Sequence, residues 1–328
     1  MSYRPVLSLL APYLTLYPDE MSTCLMSMRS AASVTLIGYV LIAVVVTGSG
    51  PALGLVSSAF RFEELSQCRR YPVLSCDDFN DLQITSWIAQ GTVKNVYLAD
   101  WRGYSVVLSN LTIGEYREDF LHSVAMHHLL DDAGYTVRML GHCGTRIVTE
   151  YHPRGNLLQA LALLNDSLAV RFPLCIRYAE ILAFLHRHDR VMCDSNSLDK
   201  TLEQYVLTTS GSLLLNDLDA LPRKVSGIVR CGNRMLDGDF IAPEQRWELG
   251  YSKGYDEKTD IYKVPDVCAH ILGDSEQALW FRYWLFSLHK RCKLETAADR
   301  PSAAEIVAEY GSLWKEYQKD IDVDYTDL

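Results

Sequence analysis

The sequence predicts an α+β fold of two lobes, a β-rich lobe followed by an α-rich lobe, with a transmembrane helix near the N-terminus. Three observations lead to this prediction: a long apolar stretch without charge, a region of alternating apolar and polar residues, and helical periodicity over most of the remainder. With 328 residues and 48% hydrophobic content, the chain can bury a core for a domain of about 250 residues. Its net charge of -10, with no long basic run, argues against a nucleic-acid partner.

The membrane anchor is predicted at residues 33–56, which are apolar, carry no charge and exceed the roughly 20 residues that span a bilayer. About 30 residues precede this stretch, so a cleaved signal peptide is a weaker alternative. A buried core helix is weaker still, because Gly48, Gly50 and Pro51 would break it. Residues 1–32 would then be a cytoplasmic tail.

The orientation of the anchor is inferred from the cysteines, because the flanking charges barely decide it. An even number of cysteines after the anchor suits an oxidising lumen. These are Cys68, Cys76, Cys143, Cys175, Cys193, Cys231, Cys268 and Cys292. The sequons at Asn110 and Asn165 also follow the anchor. We therefore expect a single-pass protein with a lumenal C-terminal domain, with the pairing of its cysteines left open.

The β-rich lobe is predicted to begin after a short lumenal stem at residues 57–80. Apolar and polar residues alternate over residues 84–108, with Gly91 and Gly103 at turn positions, which predicts three antiparallel strands. Residues 115–130 have apolar side chains at helical spacing, and the strands RMLGHC and RIVTEYH follow. This lobe is therefore expected to be a small sheet with one helix.

The α-rich lobe is predicted from the helical segments LLQALALL and PLCIRYAEILAFLHRH and from a final helical block at residues 276–317, interrupted at Pro301. Together the two lobes form a domain predicted at residues 81–318. Residues 319–328 are left as a C-terminal tail.

The candidate catalytic segment follows the helix ending in FLHRH and reads VMCDSNSLDKTLEQYVLTTSGSLLLNDLDALP. Phosphoryl transfer requires a lysine on the ATP phosphates, acidic ligands for Mg²⁺ and a carboxylate beside the attacking hydroxyl. The segment resembles the catalytic loop and metal-binding segment of protein kinases, in that order. Asp194 stands at the position of the catalytic Asp, where it would orient the substrate hydroxyl and accept its proton. Taken alone, an Asp in a loop is more often a turn residue.

The candidate metal ligands are Gln204, Asp217 and Asp219. Gln204 and Asp217 have the spacing that separates the metal-binding Asn and Asp in kinases, with Gln204 in place of the Asn. Asp219 replaces the usual Gly and could add a second carboxylate. Oxygen donors suit Mg²⁺, although an ordinary surface amide is the alternative interpretation of Gln204. Asp194 lies further upstream than usual because the loop carries extra residues.

The candidate ATP lysine is displaced from its usual strand. The segment IAQGTVKNVYL resembles a glycine-rich loop that keeps only Gly91, and Ser109 occupies the expected lysine position. Lys94 is at the third glycine position, from which a long side chain can reach the phosphates; a solvated strand lysine is the alternative. Its usual Glu partner would fall at Ser123, so Asp119, one turn earlier, is predicted as the replacement. Gly91, Lys94, Asp119, Gln204 and Asp217 form the predicted ATP site.

Three further motifs resemble structural parts of kinases. GDFIAPE resembles the end of an activation segment, and Asp260 lies in a segment resembling the buried helix that supports the catalytic loop. The resemblance implies a buried ion pair between Glu244 and Arg300. We assign these residues to architecture, and their order supports a bilobal protein kinase-like fold.

Residues 60–315 resemble one family more closely, the protein O-mannose kinases. The resemblance lies in the strings GTVKNVYLADW, DFLHSV, TEYHPRGNL, VMCDSN, QYVLT, NDLDALP, GDFIAPEQ and YDEKTDIYK. It implies an atypical kinase, single-pass type II in the endoplasmic reticulum membrane, with its catalytic domain in the lumen. It also implies Mg²⁺-dependent transfer of the ATP γ-phosphate to the 6-hydroxyl of O-linked mannose. This mannose belongs to a GalNAc-GlcNAc-Man trisaccharide on α-dystroglycan, and its phosphate permits synthesis of the laminin-binding glycan. That family shares the missing strand lysine and the unusual loop, so neither departure counts against activity.

Two other functions are compatible with the sequence. A lumenal pseudokinase that acts as a scaffold would show no nucleotide-dependent thermal shift. A cytosolic Ser/Thr or Tyr kinase at the inner membrane face would be excluded by a glycan at Asn110 or Asn165.

Overall fold

The computed structural model describes residues 73–131, 134–231, 238–246 and 253–326, with side chains described as far as residue 319. Over these ranges, no helix is long and apolar enough to cross a membrane. The predicted cytoplasmic tail, the predicted anchor at residues 33–56 and the stem up to residue 72 lie outside the described residues. The compact unit described below starts at Val73.

The N-terminal lobe is a five-stranded antiparallel sheet with one helix, as the sequence predicts. The strands are β1 (Gln83–Gln90), β2 (Lys94–Trp101), β3 (Tyr104–Leu111), β4 (Met139–Cys143) and β5 (Arg146–Glu150), in the order β1-β2-β3-β5-β4. Helix α1 (Arg117–Leu130) packs Phe120 and Val124 against Ile147 of β5. Its apolar residues recur every three or four positions, so one face of the helix is buried.

The C-terminal lobe is mainly helical and holds the larger core. Its elements are α2 (Leu157–Leu161), α3 (Leu168–Arg187), α4 (Leu198–Glu203), β6 (Tyr205–Leu207), β7 (Leu213–Leu215), α5 (Lys258–Leu272), α6 (Glu276–Cys292) and α7 (Ala303–Thr326). Helix α3 packs against both α5 and α7, and Phe172, Tyr178 and Leu182 on it are almost completely buried. Each such side chain stabilises the fold by about 1.5–3 kcal/mol. The two-lobed α+β architecture is compatible with a kinase-like fold.

Residues 73–80 lie against the sheet, although the sequence placed them in a separate stem. The Leu74 amide donates to the Leu140 carbonyl over 2.7 Å, and a disulfide joins Cys76 to Cys143 at the end of β4. The last helix, α7, likewise continues past the predicted boundary at residue 318. Pairing and a covalent bond therefore extend the folded unit at its N-terminal side.

A second disulfide joins Cys193 to Cys231. Cys175, Cys268 and Cys292 are buried thiols, and Cys68 lies outside the described residues. The structure thus resolves two of the pairings that the sequence left open. The second disulfide lies directly beside the candidate catalytic residue, because Cys193 immediately precedes Asp194.

The C-terminal lobe contains both buried polar arrangements that the kinase resemblance implied. Arg300 and Glu244 form two parallel bonds of 2.6 and 2.8 Å, and the Arg300 side chain is fully buried. Asp260 on α5 accepts hydrogen bonds from the Met192 amide and from His186 over 3.2 and 3.1 Å. Because Met192 is two residues from Asp194, the hydrogen bond to Asp260 attaches the candidate catalytic loop to α5.

Candidate active site

A short hairpin brings Gln204 and Asp217 together. Strands β6 and β7 pair with Tyr205 opposite Leu215, so the residues just outside the strands meet at one end of the hairpin. The Gln204 carbonyl accepts the Asn216 amide over 2.7 Å. The spacing noted in the sequence between Gln204 and Asp217 is therefore the length of the hairpin that separates them.

Lys94 points from β2 into the same region. Its Nζ lies 2.7 Å from Asp217 Oδ1 and 3.5 Å from Asp219 Oδ2, and its side chain is mostly buried. Ser109, at the usual lysine position, is buried on β3 opposite Val96 of β2. A lysine at position 94 therefore reaches the predicted metal-binding carboxylates from the neighbouring strand.

The electrostatics of this cluster follow from two carboxylates sharing one ammonium. Burial disfavours the charged form of Lys94, but the attraction of Asp217 and Asp219 outweighs it and raises the lysine pKa. Burial also disfavours ionised Asp217, yet Lys94 prevails and lowers the pKa of that carboxyl. Burial and the neighbouring Asp217 raise the pKa of Asp219 to about 7, with Lys94 compensating only in part. A further cation beside Asp219 would thus be favourable.

Asp194 joins this cluster through Gln204. Its Oδ2 is 3.4 Å from Gln204 Nε2, and its Oδ1 contacts the ammonium of Lys200. The extra residues of the loop are folded as helix α4, which starts at the N-cap Ser197 and carries Lys200. Asp194, Gln204, Asp217, Asp219 and Lys94 are thus brought together through a continuous series of contacts. Lys200 was missed, although a lysine inside a catalytic loop was a visible signal.

Two predicted nucleotide residues contribute less clearly to the cluster. Asp119 is exposed on α1, and the acidic groups in ion-pair contact with Lys94 in the described chain are Asp217 and Asp219. The pairing of Asp119 with Lys94 in the nucleotide complex stays a prediction. Gly91 lies between β1 and β2, where an added Cβ would be an ordinary 3.6 Å from the Lys94 carbonyl. The fold alone therefore does not require glycine at position 91.

His127 is a second residue that the sequence analysis missed. It is buried on α1, one turn after Ser123 on the same face, close enough to Lys94 for their charges to interact. Burial, together with repulsion from Lys94, lowers the pKa of His127 to about 4. A neutral imidazole at this position avoids placing a second positive charge beside the lysine. The helical spacing from Ser123 was the available signal.

The donor set fits a magnesium ion bound together with a nucleotide. In the described ranges, no three His, Cys, Asp or Glu side chains form a self-sufficient metal site. Asp217, Asp219 and the amide oxygen of Gln204 supply hard oxygen atoms instead. Mg²⁺ is commonly held by one or two carboxylates together with substrate phosphates, so this smaller set is sufficient when ATP is present.

Comparison with known proteins identifies the chain's relatives. No protein-family model matches the sequence. The chain is 40% identical over 275 residues to a protein named protein O-mannose kinase from Macaca fascicularis, covering 76% of this chain and 78% of that protein. It is 39% identical to the Homo sapiens protein of that name over the same shares, and 40% identical to that of Gallus gallus over 77% of each chain. At this identity and coverage, and with a kinase-like cluster of lysine and carboxylates, the chain belongs to the protein O-mannose kinase family, whose members are ATP-dependent phosphotransferases.

Proposed function

We propose that this kinase transfers the γ-phosphate of ATP to the 6-hydroxyl of O-linked mannose in a GalNAc-GlcNAc-Man trisaccharide on α-dystroglycan. The phosphate would then support synthesis of the laminin-binding glycan. Family membership supports the reaction, and the resemblance noted in the sequence motivates this acceptor. The observation that carries the proposal is the approach of Lys94 to Asp217 at 2.7 Å, with Asp194 3.4 Å from Gln204 at the end of the same hairpin.

The residues divide the work of phosphoryl transfer. Lys94 would neutralise phosphate oxygens of ATP, and Asp194 would accept the proton of the sugar hydroxyl as that oxygen attacks phosphorus. Gln204 contacts Asp194 and lies at the same hairpin end as Asp217, so it connects the two carboxylates. Bound Mg²⁺, held by Asp217, Asp219 and Gln204, would neutralise charge on the phosphates.

The Lys200 ammonium must leave Asp194 before the sugar hydroxyl can bind there. In this structure Lys200 occupies one of its carboxylate oxygens, and both side chains are partly exposed. An exposed ion pair of this kind contributes about 0–1 kcal/mol, so an incoming hydroxyl can displace it readily. The sugar hydroxyl would then take the place of the Lys200 ammonium.

We further propose that the catalytic domain lies in the lumen of the endoplasmic reticulum, anchored as a single-pass type II protein. The apolar residues 33–56 support the anchor, and the disulfides Cys76–Cys143 and Cys193–Cys231 suit an oxidising compartment.

The test is a transfer assay with γ-labelled ATP, Mg²⁺ and the O-mannosyl trisaccharide. The variant Asp194→Asn keeps the shape of the side chain but removes the base, so the rate should fall about 10²–10⁴-fold. Asp199→Asn is the matched control, because Asp199 is exposed on α4 and outside the cluster. Absence of trisaccharide phosphorylation by the wild-type protein, or equal rates for the two variants, would refute the proposal.

A further inference from the structure

The residues on both sides of Asp194 are fixed by contacts with distant parts of the C-terminal lobe. Cys193 is bonded to Cys231, and the Ser195 side chain is almost completely buried. The Asp194 side chain, by contrast, is about one-third exposed and has only the 3.4 Å contact with Gln204 besides the ion pair with Lys200, among described residues. Its orientation is therefore set mainly through its neighbours in the chain.

A buried lysine provides the contact on the Ser195 side. Lys263 on α5 donates from Nζ to Ser195 Oγ over 2.6 Å, and Ser195 Oγ donates onward to the Met192 carbonyl over 3.0 Å. The Met192 amide in turn donates to Asp260, one turn before Lys263 on α5. The Met192 amide is thus bonded directly to α5, and the Met192 carbonyl is connected to α5 through Ser195. These bonds hold the residues on both sides of Asp194 against the helix.

This lysine is unusual because it is 1% exposed. Lysine is almost never fully buried unless it is paired, and in the described ranges no carboxylate lies within 4.0 Å of its Nζ. Asp260 and Glu244 attract it from further away, whereas Lys293 repels it. Packing alone would favour an apolar side chain of the same length, so the ammonium needs another explanation.

We propose that Lys263 is a positioning residue for phosphoryl transfer, which holds the backbone on either side of Asp194 through Ser195; the inference rests on the role proposed above for Asp194. A catalytic carboxylate misplaced by about 1 Å can lower a rate about 100-fold. Ser195 accepts a hydrogen bond from Lys263 on α5 and donates one to the Met192 carbonyl. The buried helix therefore restrains the conformation of the loop. The disulfide at Cys193 restrains the other side of the same carboxylate.

The experiment compares Lys263→Met, Ser195→Ala and the double variant, all in the full chain. Each single variant should lower kcat about 10- to 100-fold while the KM for ATP stays unchanged, since the Lys94 cluster is not touched. The double variant should lose no more than the worse single variant, because the two residues act through one contact. Lys290→Met is the matched control, since Lys290 is exposed on α6, outside the loop, and the variant should retain wild-type kcat.

Wild-type kcat in Lys263→Met, additive losses in the double variant, or a rise in the KM for ATP equal to the fall in kcat would each overturn the proposal. Should Lys263→Met fail to fold, Ser195→Ala decides alone, because removing one hydroxyl leaves the packing of the loop intact. Reduced kcat with normal ATP affinity in that variant supports the proposal, and normal kcat overturns it.

Discussion

Replacing Lys263 by methionine is expected to stabilise the folded protein even though it impairs catalysis. Burial lowers the pKa of Lys263 from 10.5 to about 8, with Asp260 and Glu244 only partly compensating. Keeping the lysine charged in the fold at pH 7 therefore costs about 3 kcal/mol relative to an unperturbed lysine. Methionine has a similar length and no charge, so it removes this penalty.

The expected gain is smaller than the penalty because the bond to Ser195 is lost. A hydrogen bond from a charged group contributes about 1.5–3 kcal/mol, which leaves a net stabilisation of about 1 kcal/mol near neutral pH. For a domain of this size, that corresponds to a rise in Tm of about 2–4 °C.

The pH dependence of unfolding gives a second measurement on the same variant. Between pH 8 and 10.5 the unfolded wild-type chain binds more protons at Lys263 than the folded one, so wild-type stability rises with pH in that window. Lys263→Met has no such group. Its advantage in denaturant unfolding should thus be greatest below pH 8 and shrink as the pH rises to 10.5. A variant that is less stable than wild type at pH 7, or a constant difference across the window, would refute the electrostatic reasoning.

Three further outcomes are expected. Lys94→Met should weaken ATP binding about 10- to 100-fold, because the ammonium that donates hydrogen bonds to the phosphates is lost. The measurement is a smaller nucleotide-dependent shift in Tm, and unchanged affinity would exclude Lys94 from the phosphate site. Glu244→Gln should lower the free energy of unfolding by about 3 kcal/mol in urea, since the fully buried Arg300 loses its counter-charge; a loss below about 1 kcal/mol would contradict this. Asn165→Gln should remove a glycosidase-sensitive mass increase in cells, because Asn165 is exposed between helices α2 and α3; a glycosidase-resistant wild-type chain would count against glycosylation at this site.

Much of the candidate site could be predicted from spacing along the chain. Gln204 and Asp217 flank a hairpin, so their separation in sequence determines their proximity in space. Lys94 could be placed because it stands at the third glycine position of the segment that resembles a glycine-rich loop. Ser109 was recognised as the departure because it stands where the kinase lysine is expected.

The contacts that the sequence could not reveal join segments far apart in the chain. Nothing local distinguishes Cys193 from the other cysteines, and its partner became visible only in the fold. Lys263 lies in a run of helical residues whose periodicity predicts burial but not the hydroxyl that it meets. The fold of the loop insertion as α4 was likewise not predicted, because its length allows a turn as readily as a helix.

The disulfide between Cys193 and Cys231 encloses Asp194, Gln204, Asp217 and Asp219 in a single covalent ring. A backbone break at the exposed Ser210 turn would therefore leave both fragments attached until the ring is reduced. Proteolysis there should give one band on a non-reducing gel and two after thiol treatment. Immediate separation without reductant would show that the ring is open in solution.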